Sequence, residues 1–156
     1  MMRVEELKNC IEKKGIAYRH IVLGERVKTA REAAMALGVS LKRIIKTIIL
    51  VDNKNQYYAA IVPGDKMVDL DKVKMIIGSD LVRLASSDEI KRTTGYEVGA
   101  LPPLCIDNIA GFIIDSEVLT HETVYGGGGT IDSLIEISPR DLIIANRAII
   151  RDIAKR

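Results

Sequence analysis

The sequence predicts a single α/β domain over residues 1–156, in which a mixed, mostly antiparallel and barrel-like β-sheet is flanked by several helices. First, the run IIKTIILV at 44–51 is apolar at both its odd and its even positions, as in a strand buried on both faces. Second, a polar turn at 52–55 and the apolar run that follows it at 56–62 predict a hairpin. Third, capped helical segments are interspersed irregularly among further short strands, which disfavours a regular βαβ fold.

Local signals place the individual elements. Thr29 and Glu32 match the capping box of a helix that should end at Gly38, and Ser138-Pro139 is a strong helix start. The predicted helices lie at 4–14, 30–38, 69–78, 86–94 and from 138 onward. The predicted strands lie at 16–23, 44–51, 56–62, 81–85, 104–106, 111–115, 120–125 and 131–137, with a hairpin across 104–115 and a glycine turn at 126–129. The tail at 148–156 fits a strand or a short helix.

Composition limits the classes of partner. The net charge of +2 allows a local basic patch without indicating a nucleic-acid binder. No apolar run is long enough to span a bilayer, so a membrane partner is not expected. Cys10 and Cys105 lack CxxC spacing and are not expected to form a disulfide framework. That cysteine usage points to a reducing compartment, the cytoplasm.

The segment 30–43 (AREAAMALGVSLKR) is similar to the first helix and turn of a DNA-reading helix-turn-helix. That motif needs a second helix long enough to lie in the major groove. The residues that follow are β-branched and form helices poorly. The sequence therefore argues against DNA as a partner.

No standard catalytic signature occurs in the sequence: GxGxxG after a strand, GxxxxGK[ST], GxSxG and HExxH are all absent. His20 and His121 are far apart and have no metal-ligand spacing. We expect His20 on a strand surface and His121 in a turn. No metal and no cofactor are predicted.

Lys46 is the charged residue inside the apolar run, and it shares a strand face with Ile44 and Ile48. An unpaired buried ammonium is costly or loses its proton. Lys46 therefore either snorkels to water from the start of the strand or lies at the mouth of a cleft. The residues alone leave both possibilities open.

Two loops could bind a ligand through their backbones. In Gly99–Pro103, glycine permits close approach and the prolines stiffen the exit, so N–H groups could face an oxyanion. A rigid surface turn is the alternative for this loop. Four consecutive glycines at 126–129 lose much chain entropy for an ordinary hairpin, which favours a role in a site.

Together these motifs resemble the YbaK/prolyl-tRNA-synthetase-associated editing domain family. The resemblance rests on four stretches in order: KTAREAAMALGVSLKRIIKTIILV at 28–51, GYEVGALPPL at 95–104, DSEVL with ETVYGGGG at 115–129, and IEISPRDL at 135–142. The resemblance implies an aminoacyl-tRNA deacylase in a free-standing, trans-acting form. Its two most diagnostic features are the lysine of Lys46-Thr47 and the GxxxP loop, Gly99 to Pro103.

The resemblance also implies roles for individual residues. Lys46 would orient the substrate through the ester carbonyl or the terminal phosphate of the charged tRNA. The backbone of the GxxxP loop would bind the aminoacyl group and stabilise the tetrahedral intermediate, and the glycine segment would line the same pocket. The implied substrate-binding residues are Gly99, Ala100, Leu101, Pro102, Pro103, Gly126, Gly127 and Gly128. The family is thought to use no protein nucleophile, so water or the terminal ribose hydroxyl attacks the ester.

Two details depart from the family pattern. Pro102 stands beside Pro103, where several relatives have a small polar residue, so the stiffness of the loop differs. The segment 131–133 matches only loosely, which makes Asp132 a less secure candidate for positioning water or contacting substrate. These departures concern the choice of substrate more than the chemistry.

The leading hypothesis is hydrolysis of mischarged tRNA(Pro) carrying Ala or Cys, either alone or with prolyl-tRNA synthetase. Editing of this kind is needed because a synthetase pocket rejects near-isosteres by only about 10–200-fold. The tRNA body would be bound by cations such as Lys42, Arg43, Lys66, Lys72 and Lys74, provided that the fold brings these scattered residues together, which the sequence does not show. The alternative hypothesis is a non-catalytic module that binds a tRNA end or a regulatory partner on the same fold.

Overall fold

The computed structural model describes residues 2–27 and 29–156. Its helices are α1 (Met2–Lys13), α2 (Ala30–Leu37), α3 (Leu70–Ile77), α4 (Ser87–Thr94) and α5 (Pro139–Asn146). Its strands are β1 (Tyr18–Val22), β2 (Ile45–Asp52), β3 (Tyr57–Pro63), β4 (Val82–Leu84), β5 (Gly111–Asp115), β6 (Val124–Gly127), β7 (Ser133–Ile137) and β8 (Ile149–Arg151). Short 3₁₀ turns lie at Leu41–Arg43, Val98–Ala100 and Ser116–Thr120.

The strands form two sheets. The larger has the order β4-β2-β3-β5-β8, and the smaller has the order β1-β7-β6. Pairing is antiparallel except for β3 with β5 and β5 with β8, which are parallel. A bridge between Ile44 and Tyr125 joins the sheets at the start of β2. The mixed, mostly antiparallel α/β fold is therefore confirmed, and it is barrel-like only in this loose sense.

The helix boundaries follow the predicted caps. The Thr29 hydroxyl accepts a hydrogen bond from the Glu32 amide at 3.1 Å, and Glu32 Oε1 accepts from the Thr29 amide at 3.1 Å. Gly38 ends α2 with a φ of +68°, a conformation that costs glycine little. Ser86 caps α4 in the same way, since its hydroxyl accepts a hydrogen bond from the Glu89 amide at 3.2 Å. Local sequence is sufficient for these boundaries because caps act within a few residues.

The predicted hairpin across 104–115 is wrong. Residues 104–106 form no strand, and β5 pairs parallel with β3, Tyr58 standing opposite Gly111. The chain at 104–106 is instead buried beneath α1, where Leu104 joins Leu7 and Ile11 in the core. An apolar triplet can be buried without being a strand, and periodicity cannot separate the two cases in so short a run.

Two other segments differ from the predictions, and the structure decides between the two alternatives for the tail. Residues 116–120 form a 3₁₀ turn that Asp115 caps through the Glu117 amide, so the predicted strand at 120–125 begins only at Val124. Gly126 and Gly127 belong to β6 rather than to a turn. The tail, which fitted a strand or a helix, contains the strand β8, parallel to β5.

The expectation that the two cysteines stay unpaired is wrong. Cys10 on α1 and Cys105 form a disulfide across 95 positions of sequence. Spacing rules detect cysteines that are close along the chain, whereas this pair meets only because α1 packs over the segment after the GxxxP loop. The disulfide therefore removes the basis on which the cysteines indicated a reducing compartment.

The main core lies between the sheets and two helices. Ile45 and Ile61 of the larger sheet pack with Ile135 and Ile137 of the smaller one, and α1 and α5 close the ends through Leu7 and Leu142. Burial of this apolar surface is the principal stabilising term of the fold. No helix in the described part of the chain is long and apolar enough to cross a membrane.

Candidate functional site

A cavity of about 450 Å³ opens where the two sheets meet. The start of β2, helix α2, the end of β6 and the 3₁₀ turn at Val98–Ala100 surround it. Much of its wall is apolar, including Ala30, Ala33, Leu41 and Leu134. Five of the predicted site residues line it: Lys46, Gly99, Leu101, Gly126 and Gly127. The topology thus brings together three segments that are far apart in sequence.

Lys46 lies near the start of β2, opposite Val62 on β3, and its side chain is half-buried in the cavity wall. Burial lowers the pKa of its ammonium group, and the negative charge of Asp65 opposes this shift in part. Among the side chains that the structure describes, none forms an ion pair with Lys46. Of the two positions that the sequence left open for Lys46, the structure has the one at a cavity.

Asp65 is the carboxylate whose charge acts on the pKa of Lys46, but it forms a hydrogen bond with a different lysine. Lys42 Nζ donates to its carboxylate at 2.7 Å, and this hydrogen bond lowers the pKa of the Asp65 carboxyl group. Asp65 therefore acts on Lys46 through space rather than as a contact partner. The ammonium group of Lys46 stays available to an oxygen of a ligand.

The GxxxP loop begins with a 3₁₀ turn. The Ala100 amide donates to the Glu97 carbonyl at 2.9 Å, and the Leu101 amide donates to the Val98 carbonyl at 3.5 Å. Pro102 and Pro103 have no N–H group. Of the five residues of the loop, Gly99 alone therefore offers an amide that these two bonds and the prolines do not remove. The predicted oxyanion contact would have to come from Gly99.

Close backbone approach explains the glycines of β6. A Cβ atom on Gly127 would collide with the carbonyl of Leu101, and one on Gly126 would lie 2.9 Å from Cγ of Pro103. Real Cβ atoms essentially never come so close, so any side chain here would displace the loop. Gly129 ties the same two segments together, since its amide donates to the Ala100 carbonyl at 2.9 Å.

The other predicted site residues lie behind the cavity wall or beside it. Ala100, Pro102 and Pro103 belong to the GxxxP loop but are buried on its side away from the cavity. Asn146 of α5 donates a hydrogen bond to the Pro103 carbonyl at 2.9 Å. They shape the loop from behind.

Gly128 and Asp132 are not among the cavity-lining residues. The carboxylate of Asp132 accepts a hydrogen bond from the Thr130 hydroxyl at 2.7 Å, and its carbonyl accepts from the Leu23 amide at 2.8 Å. These contacts stabilise the turn between β6 and β7. The predicted substrate contact of Asp132 stays a prediction.

Residues 24–144 of the chain match the family model described as the aminoacyl-tRNA editing domain. The chain belongs to the aminoacyl-tRNA editing domain family. The resemblance inferred from its motifs is thereby confirmed. As a member of this family, the chain is a hydrolase that acts on aminoacyl-tRNA ester bonds.

Several curated proteins are similar to this editing domain. The uncharacterized protein YwhH of Bacillus subtilis is 29% identical over 73% of this chain and 72% of its own length. EbsC of Enterococcus faecalis, a candidate Cys-tRNA(Pro)/Cys-tRNA(Cys) deacylase, is 26% identical over 74% of this chain and 70% of its own. The proline–tRNA ligase of Trichlorobacter lovleyi is 36% identical over 67% of this chain but only 18% of the ligase.

Solved structures agree with the fold. One hypothetical protein superposes with a TM-score of 0.91 and 37% identity over 96% of this chain and 99% of its own. A candidate trans-editing enzyme for prolyl tRNA synthetase superposes with a TM-score of 0.90 and 26% identity over 99% of this chain and 98% of its own. The editing domain thus shares its architecture along nearly its whole length.

Sequence reasoning assigned no site role to three polar residues of the cavity, of which Thr29 was predicted only as a helix cap. Arg31, in the first turn of α2, and Thr47, next to Lys46 on β2, both line it. Arg31 is exposed at the cavity and Thr47 is half-buried. The capping box at Thr29 indicates where α2 begins, but no local signal shows that this first turn faces the cavity.

The cations predicted to bind the tRNA body are mostly paired in the editing domain. The distance from side-chain nitrogen to carboxylate oxygen is 2.7 Å for Lys42 with Asp65 and 3.1 Å for Lys72 with Asp152. It is 3.7 Å for Arg43 with Glu136 and 3.5 Å for Lys74 with Asp71. Surface ion pairs of this kind are worth little. The contact of these cations with the tRNA body stays a prediction.

Proposed function

We propose that this chain is a trans-acting deacylase that hydrolyses the ester of mischarged tRNA(Pro), with cysteine or alanine as the amino acid removed. The observation that carries the proposal is the convergence of Lys46, Gly99 and the Gly126–Gly127 strand end on one cavity. The similarity to EbsC, a candidate deacylase of Cys-tRNA(Pro) and Cys-tRNA(Cys), supports cysteine as one substrate.

In the proposed mechanism the protein positions the ester and stabilises charge. Lys46 contacts the ester carbonyl or the terminal phosphate, and the Gly99 amide donates to the carbonyl oxygen as negative charge develops on it. In a half-buried site such contacts are stronger than in water because they are less screened. Water attacks the carbonyl carbon, the bond between that carbon and the ribose oxygen breaks, and the proton that the water loses ends on the ribose oxygen, which leaves a free amino acid and an uncharged tRNA end. The free terminal ribose hydroxyl can relay this proton, but its own attack would only move the acyl group to the neighbouring ribose oxygen.

The cavity wall suits a small side chain. Ala30, Ala33 and Leu41 present methyl and methylene groups, against which the side chain of cysteine or alanine can pack. A pocket of this kind separates substrates differing by one methylene by only about 10–200-fold. We therefore propose that both amino acids are removed and that proline, with its bulkier ring, is excluded sterically.

The remaining parts of the proposal concern the assembly. We propose that residues 1–156 act as one editing domain, that Lys42, Arg43, Lys66, Lys72 and Lys74 contact the tRNA body, and that the domain works alone or beside prolyl-tRNA synthetase. We propose that the chain is located in the cytoplasm, where charged tRNA is used. This proposed location follows from the substrate and not from the cysteines.

Release of labelled amino acid from Cys-, Ala- and Pro-tRNA(Pro) tests the proposal. We expect the first two to be hydrolysed and Pro-tRNA(Pro) to be spared. Lys46→Ala should reduce kcat/KM by about 100-fold, the usual effect of removing one oxyanion contact. Lys54→Ala, in the exposed turn between β2 and β3, is the matched control and should leave the rate unchanged.

Two results would overturn the proposal. Binding of tRNA without release of any of the three amino acids would favour the non-catalytic binding module. Full activity of Lys46→Ala would mean that the chain hydrolyses the ester by a mechanism that does not use Lys46.

A further inference from the structure

His20 lies on β1, outside the cavity, and makes one specific contact with the glycine segment. Its Nε2 atom is 2.9 Å from the carbonyl oxygen of Gly128. A carbonyl oxygen can only accept a hydrogen bond, so Nε2 carries the proton and donates. Gly128 is buried, and a buried carbonyl requires such a partner.

The peptide group between Gly128 and Gly129 is bonded at both ends. Its carbonyl oxygen accepts from His20, and its N–H group, on Gly129, donates to the carbonyl of Ala100 at 2.9 Å. A single peptide plane therefore connects β1 to the GxxxP loop. Hydrogen bonds in such a chain polarise one another, so the two contacts support each other.

Besides these two bonds, the Gly128 amide donates to the Ser133 carbonyl at 3.1 Å, which holds the preceding peptide but not the plane of this one. Glycines flank it on both sides, and Gly129 has a φ of +96°, so no Cβ atom limits rotation of the plane. If the plane rotated, Gly129 would lose its bond to Ala100. Leu101, the next residue of the loop, lines the cavity and lies directly against Gly127. A loosened peptide would therefore displace the part of the loop that faces the substrate.

We propose that His20 is a positioning residue for ester hydrolysis, because it fixes the Gly128–Gly129 peptide and thereby the GxxxP loop. His20 does not touch the substrate. The inference rests on the proposed deacylase function. It assigns to His20 a purpose beyond the strand-surface role that its sequence context predicts.

The test compares variants that keep or remove the donor. The amide nitrogen of glutamine stands as many bonds from Cβ as Nε2 of histidine does, so His20→Gln keeps the donor, whereas His20→Leu removes it at similar size. We expect His20→Leu to lower kcat about tenfold, because small misplacements of reacting groups are costly, and to leave KM within about twofold, because contacts with the tRNA body, which neither His20 nor the loop makes in the proposed complex, dominate binding. His20→Gln should keep kcat within about threefold of the wild type.

A second measurement does not depend on activity. In protein labelled with ¹⁵N-glycine, which has 12 glycines, exchange of the Gly129 amide hydrogen reports its bond to Ala100. We expect faster exchange in His20→Leu and wild-type protection in His20→Gln. His121→Leu is the matched control, because His121 lies in a different segment beside Ser138 and Arg140, and it should change neither measurement.

The outcomes separate this inference from the proposed function. If the wild type releases no amino acid, the proposed function fails, and Gly129 exchange still shows whether His20 anchors the peptide. Unchanged kcat in His20→Leu, unchanged Gly129 exchange, or equal losses in His20→Leu and His20→Gln would overturn the inference. If His20→Leu does not fold, His20→Asn replaces it: its amide is one methylene too short to reach Gly128, and the same losses are expected.

Discussion

The carbonyl oxygen of Leu101 lies so close to Gly127 that a methyl group on Gly127 would collide with it. The obstacle is backbone, which cannot rotate away as a flexible side chain can. Both residues also line the cavity. The geometry of the site and the packing of its wall therefore depend on the same contact.

Gly127→Ala should impair stability and activity together. The added methyl group must displace β6 or the GxxxP loop, and overpacking of this kind costs about 1–3 kcal/mol in the free energy of unfolding. Deacylation should fall at least about tenfold because the loop moves. Urea denaturation and amino acid release measure the two effects.

Gly111→Ala is the matched control for that change. It is also a glycine at a strand end, but its added Cβ would meet Tyr58 at an ordinary distance of 3.5 Å. It should cost less stability and leave deacylation unchanged. Equal losses in the two variants would show that the close approach at Gly127 has no special consequence.

Lys46→Met should stabilise the protein while it removes activity. Burial lowers the pKa of Lys46 in the folded state, so the unfolded chain binds more protons and the wild type gains stability as pH rises. The destabilising effect of Lys46 is thus fully present below its folded pKa and disappears as the pH approaches the ordinary lysine pKa of about 10.4.

The measurement is the free energy of unfolding of wild type and Lys46→Met at several pH values between 7 and 10. We expect the variant to be the more stable protein at pH 7 and the difference to shrink toward pH 10. Lys54→Met, at an exposed position, should show no such trend. A difference independent of pH would mean that burial of the charge is not its cause.

Local signals explain which parts of the fold and site could be predicted. The capping residues Thr29 and Ser86 act within one helical turn, and the Lys46 strand is apolar along its own length, so a short window of sequence contains the information. The parallel pairing of β5 with β3 and the Cys10–Cys105 disulfide join distant segments. They depend on how the whole chain packs, and no local pattern encodes them.

The same distinction applies to the cavity. The glycines and the GxxxP loop were predicted because unusual composition indicates close backbone approach. The sequence around Arg31 and Thr47 has an ordinary composition. Only the packing of α2 beside β2 places these two side chains at the cavity. Asp132 was predicted from a loose motif, and its carboxylate bonds to Thr130.

Removing the disulfide should lower stability substantially. Cys10 and Cys105 are 95 positions apart, and a crosslink closing a loop of this size stabilises a protein by about 2–5 kcal/mol. The double variant Cys10→Ser/Cys105→Ser should therefore unfold at lower urea concentration than the wild type. Reductant should lower the wild-type midpoint to the same value and leave the double variant unchanged. A wild type that is insensitive to reductant would contradict a stabilising role of the bond.

The C-terminal segment should depend on Asp115 more than on Arg156. Asp115 is fully buried, with a relative exposure of 0%, and it accepts hydrogen bonds from the amides of Ile153 at 2.9 Å and Ala154 at 3.2 Å as well as from Arg156 at 3.1 Å. Asp115→Ala leaves the amides of Ile153, Ala154 and Glu117 without their acceptor, whereas Arg156 keeps the Glu117 carboxylate, and we expect the change to cost about 3–5 kcal/mol in the free energy of unfolding. Arg156→Ala should cost only about 1 kcal/mol, because the arginine is partly exposed and the carboxylate keeps its three backbone donors. Urea denaturation of both single variants and the double variant measures the coupling, and the double variant should be no less stable than Asp115→Ala alone. Equal costs for the two single variants would mean that the guanidinium, not the backbone amides, supplies the stabilising contact of the buried carboxylate.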